Sequence, residues 1–275
     1  MKKNVGFDFK KILQSGEPVI GQMVGPRNDP DKTVKALQDV GYDFICIDNE
    51  HSLVGKETIF EYIRVARELA MPIIMRPEEK TDNFRPYLDA GINGLMVSGI
   101  ETVEEALFAI NQAYFPPIGH RGMGVNMSPY LLDGQNANDM TLFEITEYVN
   151  NNTMVFTIIE SEAGVRELHR ILRLEGVTGI SVGPNDFILS MYQFPPKVKR
   201  SELFTSEAVE ARFTQIIDMC KAAGKPAGMG ALTPQGFMKW AKQGFRMFVM
   251  GYIIDNNAES FRPRVSELKA LLKSV

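Results

Sequence analysis

Four short stretches of this 275-residue chain carry side chains equipped for chemistry: Asp48-Asn49-Glu50-His51, Arg76, Glu160, and Gly183-Pro184-Asn185-Asp186. Glu160 and Asp186 are two carboxylates from separate segments. Brought together, they would ligate one hard divalent ion and leave positions for water and a bidentate ligand. Each also has a plainer reading as a helix N-cap, and it is the pair that favours the metal. His51 follows Asp48 by three residues. An Asp that accepts from one imidazole nitrogen fixes the tautomer and raises basicity at the other, which is what a proton carrier needs. The alternative is that Asp48 caps the turn that follows it. Arg76 closes the apolar run Pro72-Ile73-Ile74-Met75, a costly place for a charge without a partner. A carboxylate or enolate suits its planar guanidinium, and a salt bridge to Glu78, Glu79 or Asp82 is the competing reading.

Other residues weigh less. His120 lies beside Arg121 in a segment that could line a pocket, and His169 falls within a helical pattern. The glycine-rich run from Gly119 to Gly124 follows no strand and misses phosphate-binding spacings, which argues against a nucleotide. Cys46 lies inside an apolar strand without a base, so a nucleophilic role is not expected.

The elements that must position these groups alternate regularly. Eight short, nearly continuous apolar runs read as strands: Val19–Val24, Asp43–Asp48, Pro72–Arg76, Gly94–Ser98, Met154–Ile159, Gly179–Gly183, Ala227–Gly230 and Met247–Gly251. Runs of this kind are expected of parallel strands covered on both faces. Amphipathic segments separate them, including Lys56–Ala70, Glu101–Tyr114, Ser161–Leu174 and Ser206–Ala223. Thr102 ahead of Glu105 has capping-box spacing. Gly41, Gly91, Gly176, Gly224 and Gly244 each follow a helical stretch, where a left-handed residue ends a helix. Eight such repeats in this length predict a (β/α)8 TIM barrel as one domain spanning 1–275, with a doubly wound open sheet as runner-up. In a barrel the four stretches share one rim, the C-terminal ends of the strands. A long insertion, Phe115–Thr153, separates the fourth barrel helix from the fifth strand, with a small helix expected at Asp139–Asn150. Phe7–Leu13 is expected to be a helix plugging the barrel floor.

Composition narrows the class. With 44% hydrophobic and 23% charged residues the chain is globular, and 30 basic against 34 acidic side chains give a net charge of −4. That balance, without a basic run, argues against nucleic-acid and anionic-membrane partners. Two cysteines and no apolar signal segment predict a cytoplasmic protein.

The order of the motifs, Tyr42-Asp43-Phe44 to Asp48-Asn49-Glu50-His51, then Arg76-Pro77, Pro116 to Gly122, Ile159-Glu160-Ser161 and Gly183 to Asp186, resembles the HpcH/HpaI aldolase family. Those are metal-dependent class II pyruvate aldolases of the phosphoenolpyruvate/pyruvate barrel superfamily. The resemblance implies a carbon–carbon lyase that reversibly cleaves a 4-hydroxy-2-oxo acid to pyruvate and an aldehyde. It implies that Glu160 and Asp186 hold magnesium, manganese or cobalt, and that Arg76 steadies the enolate oxygen. His51, paired with Asp48, would move protons. The amides of Asn185 and Asp186, beside Gly183, would receive the carboxylate of the 2-oxo acid. It also implies a homo-oligomer, a hexamer built as a trimer of dimers that trade a C-terminal helix, for which Asp255–Leu272 qualifies. A monomer keeping that helix at home fits the sequence equally. Departures from the family pattern are Ile158 in place of glutamine, Asn185 in place of a small residue, Phe187-Ile188 in place of Leu-Ser, and Ser98-Gly99 in place of Val-Pro. Two alternatives follow: an acyl-CoA lyase of the same superfamily, for which no basic patch is seen, and a catalytically silent 2-oxo-acid-binding relative.

Overall fold

Strands without a polar face need cover on both sides, and the chain supplies it by placing a helix after each strand. The computed structural model describes residues 2–124, 128–192, 194, 196–204, 206–231, 234–251 and 262–272. In chain order the elements begin with α1 (Val5–Ser15), β1 (Val19–Val24), α2 (Pro30–Val40), β2 (Phe44–Asp48) and α3 (Lys56–Glu68). Next come β3 (Ile73–Arg76), α4 (Arg85–Ala90), β4 (Gly94–Val97) and α5 (Val103–Ala113). A 3-10 turn at Ala137–Asp139 precedes α6 (Leu142–Asn152), β5 (Met154–Ile159), α7 (Glu162–Ile171), β6 (Gly179–Val182) and α8 (Pro184–Met191). The chain continues through α9 (Arg200–Phe204), α10 (Glu207–Ala222), β7 (Ala227–Ala231), α11 (Pro234–Gln243), β8 (Phe245–Met250) and α12 (Arg262–Leu272).

All eight strands pair in parallel and in sequence order, and β8 closes on β1. The protein is a (β/α)8 barrel, and the open-sheet alternative is excluded. Alternation along each strand sorts side chains between two cores. Ile20, Ile45, Ile73 and Ile180 face the helices. Phe44, Cys46, Ile74, Met96, Phe156 and Met247 fill the interior. Phe9 and Leu13 of α1 join that interior core, with the Phe9 ring centroid 5.2 Å from that of Phe44. The expected floor plug is therefore present, and α1 runs somewhat longer than the sequence suggested.

Local signals explain most boundaries. Thr102 and Glu105 form a complete capping box at the start of α5. Gly41, Gly91, Gly224 and Gly244 have positive φ, whereas Gly176 does not. A Cβ at Gly176 would overlap the Ile110 side chain, so close packing against α5 is what requires glycine there. The helix in the insertion starts at Leu142, later than expected, because Thr141 and Glu144 build a second capping box. A buried ion pair between Arg67 of α3 and Asp133 fastens the insertion, and Tyr148 of α6 donates to Asp133 Oδ2 at 2.5 Å. Val265 and Leu268 of α12 are buried in the outer core of their own chain, where α12 packs on α11. The stretch 255–261 of the expected C-terminal helix lies outside the described residues. Among the described residues no helix is long and apolar enough to cross a membrane.

Candidate active site

The inward positions at the C-terminal strand ends converge on one cavity of about 350 Å³. Its wall includes His51, Arg76, Glu160, Gly183, Asn185 and Asp186, so four strand-end segments that are far apart in sequence meet where the barrel rule places them. Asp48 lies just behind Arg76.

Strand register decides the partner of Asp48. Asp48 ends β2 directly opposite Arg76 at the end of β3. Their side chains make a two-point ion pair, Arg76 Nε to Asp48 Oδ1 at 2.8 Å and Nη2 to Oδ2 at 2.5 Å. Asp48 is fully buried and Arg76 nearly so. Arg76 Nη1 also lies 3.0 Å from Glu50 Oε2. The sequence reading paired Asp48 with the His51 ring, and the geometry corrects that. Asp48 Oδ1 accepts instead from the amides of Glu50 and His51, at 3.1 and 3.3 Å. A fixed charge opposite in register outcompetes a neutral ring three residues on. The turn thus closed sends the His51 side chain outward, 57% exposed, with Nε2 3.7 Å from Glu50 Oε2. Arg76 likewise takes neither Glu78 nor Asp82: Glu78 accepts from Asn49 and Asp82 from the Glu79 amide.

Glu50 is the site residue that sequence reasoning left without a role. Its Oε2 accepts from Ser98 Oγ at 2.7 Å and is ion-paired with Arg76. The available signal was its place in the Asp48–His51 stretch, one residue from the histidine.

Glu160 extends inward just past β5. Its Oε1 accepts from the Gly99 amide at 2.6 Å, and Gly99 offers that amide from a left-handed conformation with φ of 64°. Gly183 is needed for a different reason: a Cβ there would overlap Glu160 Oε2. Neither metal candidate is an N-cap. Ser161 caps α7, and α8 begins at Pro184 behind an N-cap Gly183 that makes no side-chain bond. Asp186 sits in the first turn of α8. The amides of Asn185 and Asp186 are among the first of that helix, which have no intrahelical acceptor and favour an anion.

Electrostatics favour a cation between the acids. Burial pushes the Glu160 carboxyl up to about 7, the charges of Glu50 and Asp186 push the same way, and the Gly99 amide and Arg76 oppose them. Among the described residues Arg76 pairs with both Asp48 and Glu50, and Glu160 and Asp186 add two further carboxyl groups to the same cavity. The donors are hard carboxylate oxygens, the set that suits magnesium or manganese rather than a thiolate-seeking metal. Among the described residues no three or more His, Cys, Asp and Glu are placed together to hold a metal ion; a two-acid site must complete its shell with substrate and water. The fit is therefore to a divalent ion shared with a chelating ligand.

Other expectations resolve simply. His120 is exposed and bonds to Asn111 at 2.8 Å, and Arg121 is buried against Asp89, so neither lines the cavity. Burial pushes the Cys46 thiol up to about 12, which removes it as a nucleophile. Ile158 and Glu160 do face the same side, as strand alternation requires.

A sequence model of the HpcH/HpaI aldolase/citrate lyase family matches residues 26–252. The chain belongs to that family. It is 26% identical, over 94% of its length and 95% of the relative's, to a hydroxypyruvate/pyruvate aldolase of Roseovarius nubinhibens. It is 25% identical to a 2-keto-3-deoxy-L-rhamnonate aldolase of Salmonella typhimurium, covering 96% of this chain and 93% of the other. The crystal structure of an HpcH/HpaI aldolase from Desulfitobacterium hafniense superposes with a TM-score of 0.78 at 22% identity, over 94% of this chain and 96% of that one. This HpcH/HpaI family member is an enzyme of the aldolase type, a carbon–carbon lyase.

Proposed function

We propose that this family member reversibly cleaves a 4-hydroxy-2-oxo acid to pyruvate, or a close 2-oxo acid, and an aldehyde, with a divalent ion held by Glu160 and Asp186. The observation that carries the reading is the meeting of those two acids with Arg76 and the free amides of α8 in one cavity. The names of the aldolase relatives support the same reaction class.

The residues divide the work as the chemistry demands. The amides of Asn185 and Asp186 take the substrate carboxylate. When bound, the ion supplies Lewis acidity toward the 2-oxo group. Arg76 spends its Nε–H and one Nη2–H on Asp48 and ion-pairs through Nη1 with Glu50, and its remaining N–H groups would serve the oxygen that gains charge. Asp48 fixes the guanidinium plane, so Arg76 stabilises the oxyanion without reorganising. His51, at the rim and open to water, takes the 4-hydroxyl proton as the C3–C4 bond breaks. The bonding pair enters the enolate, the aldehyde leaves, and C3 then takes a proton to give the 2-oxo acid.

The test is exchange of the pyruvate methyl protons in D2O, followed by NMR, beside release of pyruvate from a 4-hydroxy-2-oxo acid. Both are expected with magnesium or manganese, and both are expected to vanish in EDTA and in Glu160→Gln or Asp186→Asn. Full exchange in EDTA-treated protein overturns the proposal.

A further inference from the structure

Below the acids, one polar side chain in the cavity wall has no part in the reaction as derived. Below the level of Glu160 the inner wall is formed by Met23, Met96, Ile158, Ser181 and Val249. Four of these are apolar and belong to or pack on the interior core. Ser181 is the exception. It is 3% exposed and lies opposite Ile158 in the β5–β6 register. Its hydroxyl makes no hydrogen bond to any described residue. Glu160 and Gly183 stand two residues farther along the same two strands, so Ser181 and Ile158 sit one pleat deeper than the acids.

A hydroxyl in an otherwise apolar wall is costly unless something bonds to it. A 2-oxo acid offers few groups to choose from. Its carboxylate would be taken by the α8 amides, and its keto oxygen by Arg76 and the ion that Glu160 and Asp186 would hold. C3 and its substituent are what remain to meet the wall below.

We propose that Ser181 is a specificity-determining residue that takes a hydroxyl carried on C3 of the donor, so that the site is built for a 3-hydroxy-2-oxo acid. The assignment rests on the aldolase reading above and adds to it the class of donor. Hydroxypyruvate and 2-oxobutanoate are the informative pair, because they differ by OH against CH3 at one position. Met23, Met96, Ile158 and Val249 favour neither by hydrogen bonding, which leaves Ser181 to discriminate.

The experiment compares metal-dependent exchange of the C3 protons of the two donors in D2O, as kcat/KM, in the native protein and in Ser181→Ala. The native protein is expected to prefer hydroxypyruvate. In Ser181→Ala the hydroxypyruvate-to-2-oxobutanoate ratio is expected to fall about 5- to 30-fold, the range for losing one buried hydrogen bond. Direct titration of each donor into metal-loaded protein by calorimetry should show the same ratio change in Kd. A melting temperature near the native one shows that the variant is folded. An unchanged ratio overturns the assignment, including the case where both donors weaken equally and Ser181 serves the shared carboxylate or keto group. Absence of exchange with every donor, pyruvate included, overturns the aldolase reading itself and this assignment with it.

Discussion

Arg76→Met is the perturbation that tests the charge balance of the site most directly. It keeps an unbranched stem of partial length and removes the guanidinium. Asp48 is then fully buried without that cation, while the amides of Glu50 and His51 still donate to it at 3.1 and 3.3 Å. Removing one partner of a buried pair costs about 3–5 kcal/mol. The two amides persist, so the low end, about 3 kcal/mol, is expected. Urea unfolding of both proteins at pH 8, followed by circular dichroism, reads this out. Activity should fall more than stability suggests, by about 10²–10³ in kcat, the worth of one preorganised donor to an oxyanion. A variant as stable as the native protein at pH 8 would refute the reasoning.

Gly183→Ala should leave the fold intact but displace Glu160, whose Oε2 the new methyl would overlap. Manganese affinity measured by calorimetry is expected to drop about 10–100-fold, as for loss of a supporting group around a ligand. Lys10 of α1 is held down to about 8 by burial, with the Asn150 carbonyl at 3.4 Å as its acceptor among the described residues. Because its folded value lies below the unfolded one, charging it opposes folding at neutral pH. Lys10→Met should therefore stabilise the protein by about 1 kcal/mol at pH 7, and the gain should shrink as pH rises from 8 toward 10.5. Thermal melts across that range check both the sign and the window.

The barrel was legible because its strands are buried on both faces, and that burial is written as short apolar runs. β1 and β5 have the bounds the sequence suggested. β8 starts two residues earlier, at Phe245, because Arg246 interrupts the apolar run. That arginine sends its Nη1 to the carbonyls of Ala241 and Phe245, a partner the sequence does not advertise. The mouth residues were legible for a related reason. A charge at the end of an apolar strand is expensive, and Arg76, Glu160 and Asp48 all stand out on that ground. What could not be read was who faces whom. Asp48 and His51 are neighbours in sequence, but the β2–β3 register sets Asp48 against Arg76 and gives the histidine to Glu50. Ser181 was invisible because serine in a strand is unremarked until the barrel closes around it.

The helix stopping the lower end of the barrel has a kinetic consequence. With Phe9 and Leu13 wedged beneath Phe44, traffic passes through the upper opening alone. On the proposed reaction the carboxylate-bearing partner would rest deeper, entering first and departing last, and the carbonyl acceptor would come and go above it. Such a vessel with one neck would impose an ordered sequence on the two small molecules without any moving part.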